Sequence, residues 1–186
     1  MKAVITDFDG TLVDTFMPNY LAYEAAFTEN DKTLTIDQYK ECWGMRFNEF
    51  MTKMKIDNTT AIKIKEAKAK HYNKFVNHIL LNHELIQLLK DAKAKDNKIA
   101  IASTASKVNL MNVLNYFNLT NLFDVIITGE DVKEAKPNPE VYQLALNKLQ
   151  VDAKDAIVYE DSFIGIVAAK TAGINVIKVD KFNKLI

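Results

Sequence analysis

Short β-branched apolar runs and helical patterns alternate through residues 1–13 and 83–180, and few folds accept that order. Strand candidates lie at 2–7, 97–102, 124–128, 156–160 and 175–179, with helical patterns over 83–95, 106–117, 138–149 and 163–172. Strands joined through helices cannot pair by tight hairpins, so the alternation predicts an α/β fold: a parallel sheet with helices on both faces. Asn138-Pro139 reads as an N-cap with proline in the first turn, and Ser162 as the cap of the next helix. The intervening stretch has no strand run, is rich in lysine and methionine, and suggests helices at 17–29, 35–42, 46–54 and 58–80. An all-helical block placed after the first strand is an insertion. The chain is therefore expected to form two domains, 1–13 with 83–186 and 14–82, with hinges near 13–16 and 79–83.

Composition narrows the partners. Lys+Arg and Asp+Glu balance at 24 each over 186 residues, so no net field draws the chain to nucleic acid or an acidic membrane. The lysines of TAIKIKEAKAKHYNK recur at helical spacing without the interleaved aromatics of a nucleic-acid surface, and read as a solvated face. The single cysteine, Cys42, excludes an internal disulfide, fits a reducing compartment and reads as a small apolar filler. His71, His78 and His83 read as structural or surface residues. The chain enters its first strand without signal-peptide features and holds no apolar run of about 18 residues, so a cytoplasmic protein without a membrane partner is expected.

Chemistry concentrates in four places. The run Ala3-Val4-Ile5 delivers Asp7 and Asp9 at a strand end, followed by Gly10 and Thr11. Acids at this spacing face the same way on an extended segment, and such like charges persist with a cation or a shared proton. The pattern favours a divalent metal and a phosphate ester. It is not a calcium loop, because Phe8, Leu12 and Val13 supply none of the alternate oxygen ligands such a loop requires. In KIAIASTAS a buried strand ends in Ser103 and Thr104, with Ser106 placed to cap a helix, and such a junction suits a phosphate oxygen. In EAKPNPEVY, Lys136 is stiffened by Pro137 and Pro139 and can neutralise a bound phosphate. In AIVYEDSFIGIVAAKTAGI a strand ends in Glu160 and Asp161 before a helix of small residues. If the first strand is central and flanked by the 98–102 and 156–160 strands, the four signals meet in one crevice beyond the strand ends.

DFDGTLVD, the Ser103 strand end, Lys136-Pro137 and YEDSFIGIVAAKTAGI together resemble, in order and spacing, the four motifs of haloacid-dehalogenase superfamily phosphatases with an inserted helical cap. The resemblance implies a Rossmann-like sheet of order 3-2-1-4-5 and Mg2+ as cofactor. It implies Asp7 as the nucleophile that becomes an aspartyl-phosphate, and Asp9 as the acid and base. Ser103 and Lys136 resemble the phosphate-binding pair, with Gly10, Thr11 and Thr104 expected against the substrate. Asp7, Asp9 through its backbone carbonyl, Glu160 and Asp161 resemble the metal site. The dehalogenase branch lacks the second aspartate and needs no metal, whereas Asp9 is present here. In the helical block, CWGMRFNEF resembles a cap segment of sugar phosphatases and β-phosphoglucomutases, which makes Arg46 a candidate for the substrate's remote group. β-Phosphoglucomutases carry a cap histidine where this chain has Asn19, which favours hydrolysis over isomerisation. The expectation is a phosphatase acting on a small phosphorylated metabolite (a sugar phosphate, phosphoglycolate or a nucleotide-like ester), as a monomer or weak homodimer. A sugar-phosphate isomerase and a non-catalytic phosphate-binding regulator are the alternatives.

Overall fold

A computed structural model describes residues 1–180; residues 181–186, assigned by sequence to the 83–186 segment, lie outside the described residues. The chain divides into two compact units, Met1–Asp14 with the segment from Leu80 onward, and Thr15–Ile79.

The first unit holds a five-stranded parallel sheet. Its strands are β1 (Ala3–Thr6), β4 (Lys98–Ala102), β5 (Val125–Ile127), β6 (Ala156–Glu160) and β7 (Asn175–Lys178), ordered β5-β4-β1-β6-β7. Counting these five alone, the order is 3-2-1-4-5. A detail not expected from sequence is a separate antiparallel pair, β2 (Val13–Asp14) with β3 (Leu80–Leu81). Every residue of β1 is buried, as a central strand covered on both faces requires. Helices α5 (His83–Lys93), α6 (Lys107–Tyr116), α7 (Glu140–Leu149) and α8 (Phe163–Thr171) alternate with the strands. Ala3 and Ile5 share one core with Val141, Tyr142 and Ala145 of α7 and with Ala168 and Ala169 of α8. The small side chains of α8 let it lie close to the sheet. Ser162 caps that helix as expected, accepting from Gly165 N at 3.0 Å. The cap of α7 differs by one residue. Pro139 occupies the cap position before the first turn rather than within it, and Asn138 Oδ1 accepts from Glu140 N at 2.9 Å.

The second unit consists of α1 (Phe16–Glu29), α2 (Ile36–Cys42), α3 (Phe47–Lys53) and α4 (Asn58–Tyr72), followed by a 3-10 segment, Asn73–His78. Tyr20, Phe27, Tyr39, Phe50 and Ile64 are buried at its centre, and Cys42 is buried among them as an apolar filler. The helix expected over 58–80 ends instead at Tyr72 and passes into the 3-10 segment, after which Leu80 and Leu81 pair with Asp14 and Val13. No helix among the described residues is long and apolar enough to cross a membrane.

Candidate active site

The central strand carries Asp7 out past its own end. Asp7 N still donates to Tyr159 O at 2.9 Å, so the residue keeps β1's register while its side chain stands at the carboxyl edge of the sheet. The chain then turns: Leu12 N and Val13 N both donate to Phe8 O at 3.0 Å, and Gly10 adopts φ +85°. A β-carbon at Gly10 would overlap the Asp161 carboxylate, so glycine here answers both the backbone and its neighbour. Thr11 is buried and donates its hydroxyl to Asp161 Oδ1 at 2.8 Å. Gly10 and Thr11, expected against the substrate, thus serve the Asp161 carboxylate in this structure. Asn82, buried at the start of α5, holds the same turn: its Nδ2 donates to Thr11 O at 3.0 Å and its backbone N to Leu12 O at 2.9 Å.

Lys136 enters from the segment ahead of α7, which is tied back when Glu140 accepts from Lys133 N and Glu134 N at 3.0 Å each. Its ammonium is buried and donates to Asp7 Oδ1 at 2.5 Å and to Glu160 Oε2 at 2.7 Å. Glu160 accepts in addition from the Tyr142 hydroxyl at 2.6 Å, and from Ser162 N and Oγ at 3.0 and 2.9 Å. Room for that carboxylate comes from Gly165, where a β-carbon would overlap it.

Asp7, Glu160 and Asp161 each offer an oxygen, and those oxygens all lie within 4.8 Å of one another. Lys136 bonds two of these three carboxylates, Asp7 and Glu160. Burial pushes the Asp7 carboxyl up to about 8; Lys136 pulls against that rise, while Glu160 and Asp161 add to it. Burial also raises Asp161, opposed by the Thr11 hydroxyl and aided by Glu160. Burial would raise Glu160 as well, but Lys136 and the Tyr142 and Ser162 donors outweigh it and hold that carboxyl below its ordinary value. For Lys136, burial works against the charge, yet Asp7 and Glu160 prevail and raise its pKa. Glu160 is thus fully provided for, whereas Asp7 and Asp161 are short of positive charge. Two crowded oxygen ligands with that deficit fit a hard divalent cation.

The acid cluster does not include the Asp9 carboxylate: Asp9 is exposed, and its backbone bridges to Val13 across the turn. β1 ends at Thr6, so Asp7 and Asp9 both lie beyond the strand proper. Ser103 is buried one residue past β4, with its N donating to Ile127 O at 3.1 Å and its Oγ accepting from Ala105 N at 3.0 Å. Thr104 beside it is exposed, and a β-carbon at Gly129 would come within 2.6 Å of its carbonyl oxygen. Ser106 caps α6, and Glu130 also accepts from Lys107 N at 2.8 Å, so that helix start is served from within the chain. Arg46 is exposed at the start of α3 in the helical unit, its backbone N donating to Glu49 Oε2 at 3.3 Å. Asn19 donates to Thr15 O within its own helix start.

Tyr142, Asn82 and the second job of Ser162 were not expected. Their sequence signals were ordinary ones: an aromatic at a core position of α7, and helix caps. Only the packed structure shows that each spends its polar atoms on the site.

The sequence profile of haloacid dehalogenase-like hydrolases matches residues 4–179. This chain is a haloacid dehalogenase-like hydrolase. The hydrolase is 32% identical over 178 residues to the phosphorylated carbohydrates phosphatase of Thermotoga maritima, covering 94% of this chain and 82% of that protein. It is 27% identical, with a TM-score of 0.82, to a mutant of CbbY from Rhodobacter sphaeroides solved with xylulose-(1,5)bisphosphate, covering 99% of this chain and 88% of that one. A β-phosphoglucomutase from Clostridium difficile, 24% identical with a TM-score of 0.75 over 98% of this chain and 92% of its own, shares the fold.

Proposed function

We propose that this hydrolase releases inorganic phosphate from a small phosphomonoester, with Mg2+ as cofactor and Asp7 as transient phosphoryl carrier. The observation that carries the reading is the Asp7 carboxylate itself, buried at the tip of the central strand, held by Lys136 at 2.5 Å and grouped with Asp161 and Glu160. An Asp7 oxygen attacks phosphorus while the bond from phosphorus to the leaving oxygen breaks. Asp9, protonated at the start, gives that oxygen its proton. The Asp9 carboxylate then takes a proton from water, the water oxygen attacks phosphorus, and the bond to Asp7 breaks to release phosphate. Splitting one displacement into two lowers each barrier. Lys136 stabilises charge on the transferring oxygens, and Ser103 and Thr104 at the neighbouring strand end bind them. Asp7, Asp161 and the backbone carbonyl of Asp9 would hold Mg2+, which would supply further positive charge to the transferring group.

The substrate class is supported by relatives: one is named for phosphorylated carbohydrates, and another was solved with a sugar bisphosphate. Sugar phosphates are therefore the first class to assay, ahead of phosphoglycolate and nucleoside monophosphates, and Arg46 is the proposed contact for a remote anionic group. The test is phosphate release across those esters with and without Mg2+. Metal-dependent release that Asp7→Asn lowers by at least about 1,000-fold is expected, since the attacking atom is gone. Conversion of β-glucose 1-phosphate to glucose 6-phosphate without phosphate release would replace the reading with isomerisation.

A further inference from the structure

We infer that Tyr142 is a positioning residue, fixing Lys136 against Asp7 through the Glu160 carboxylate. The inference rests on the reading of Asp7 as phosphoryl acceptor and assigns a role to a buried residue of α7.

Tyr142 is wholly buried, at 0% exposure, in the core between α7 and the sheet. Volume alone would be met there by phenylalanine, and a buried hydroxyl costs stability unless it is bonded. Its bond is to a carboxylate, at 2.6 Å from Glu160 Oε2, the same oxygen that receives Lys136 Nζ at 2.7 Å. Ser162 fills the other oxygen with its N–H and hydroxyl. A carboxylate has about four acceptor sites, so the four protein donors exhaust Glu160 and fix its plane. Glu160 is then a bracket for the lysine.

Tyr142 also meets Lys136 directly, since the ammonium lies 4.9 Å from its ring centroid, within cation–π range. A lysine ammonium on four methylenes has no direction of its own. Here the ring lies beside it and the bracketed carboxylate receives one proton, which leaves another aimed at Asp7 Oδ1. Without the hydroxyl, Oε2 depends on Lys136 alone, and the ammonium is drawn toward Glu160 and off Asp7.

The test is Tyr142→Phe, which keeps the ring and volume and deletes one oxygen. With p-nitrophenyl phosphate and Mg2+, kcat is expected to fall roughly 10–100-fold, the usual cost of losing a supporting hydrogen bond behind a reactive group. KM and the Mg2+ half-saturation should shift less than kcat does, because the deleted oxygen bonds neither Asp7 nor Asp161. In a Glu160→Gln background the same substitution should cost nothing further, since its effect passes through that carboxylate. Crystals of wild type and variant should show the Lys136–Asp7 contact kept in the first and lost in the second. Additive losses in the double variant, or an unchanged contact in the variant crystal, would overturn the inference. So would unaltered kcat with only a lowered melting temperature. If wild type itself releases no phosphate, the phosphatase reading fails, and the crystal comparison alone decides whether Tyr142 positions the lysine.

Discussion

Single atoms decide whether this site exists. Gly10 combines a left-handed backbone with contact against the Asp161 carboxylate, so adding one methyl offends twice. Gly10→Ala should lose on the order of 1–2 kcal/mol from the backbone alone. By displacing Asp161 it should also weaken Mg2+ binding by about tenfold or more. Urea unfolding reads the first effect and calorimetric titration of Mg2+ the second; wild-type affinity in the variant would contradict the placement of Asp161 as a ligand. Residues 7, 136 and 161 announced themselves through charge at strand ends and proline stiffening. Tyr142 and Asn82 did not, because a core aromatic and a helix cap look alike whether or not their polar atoms serve a site. Asp9 lies on the turn beyond β1, where strand periodicity no longer decides which way a side chain faces.

At the level of elements, the strands were legible to within a residue or two, because β-branched runs buried on both faces have no alternative use. The misses are tertiary. β3 exists only through its pairing with β2, so Leu80, the last residue of the expected 58–80 helix, leaves that pattern in the fold. Strand entry is also pinned by side chains, as at β5. Asp124 Oδ2 accepts from Ile99 N at 2.7 Å and Oδ1 from Lys93 Nζ at 3.1 Å, fastening β5's start to β4 and α5. Burial would raise this carboxyl, but those donors outweigh it and hold it below its ordinary 3.8. A native pKa below the unfolded one gives stability that is present above pH 3.8 and lost as pH falls through the native value. Asp124→Asn should therefore unfold at lower urea than wild type at neutral pH, and the gap should close as pH falls below 3.8. A gap independent of pH would show that the charge contributes nothing.

Across the whole molecule, the sequence alternation and the sheet order act together. Placing β1 between β4 and β6 carries Asp7, Ser103 and the Glu160–Asp161 pair to the same edge of one sheet, although they stand up to 154 residues apart in the chain. That convergence was legible because parallel strands put every carboxyl end on one side. The electrostatic division of labour was not, since four acids in a sequence look equivalent. Packing separates them: Glu160 saturated by the chain, Asp7 and Asp161 left wanting a cation, Asp9 exposed. The central claim is that the foremost of these acids carries the phosphoryl group. It is tested most directly by quenching the enzyme during turnover of a sugar phosphate with Mg2+, reducing with borohydride, and locating the modified residue by peptide mass spectrometry. Reduction confined to residue 7 is predicted; turnover with residue 7 unmodified and another side chain labelled would contradict it.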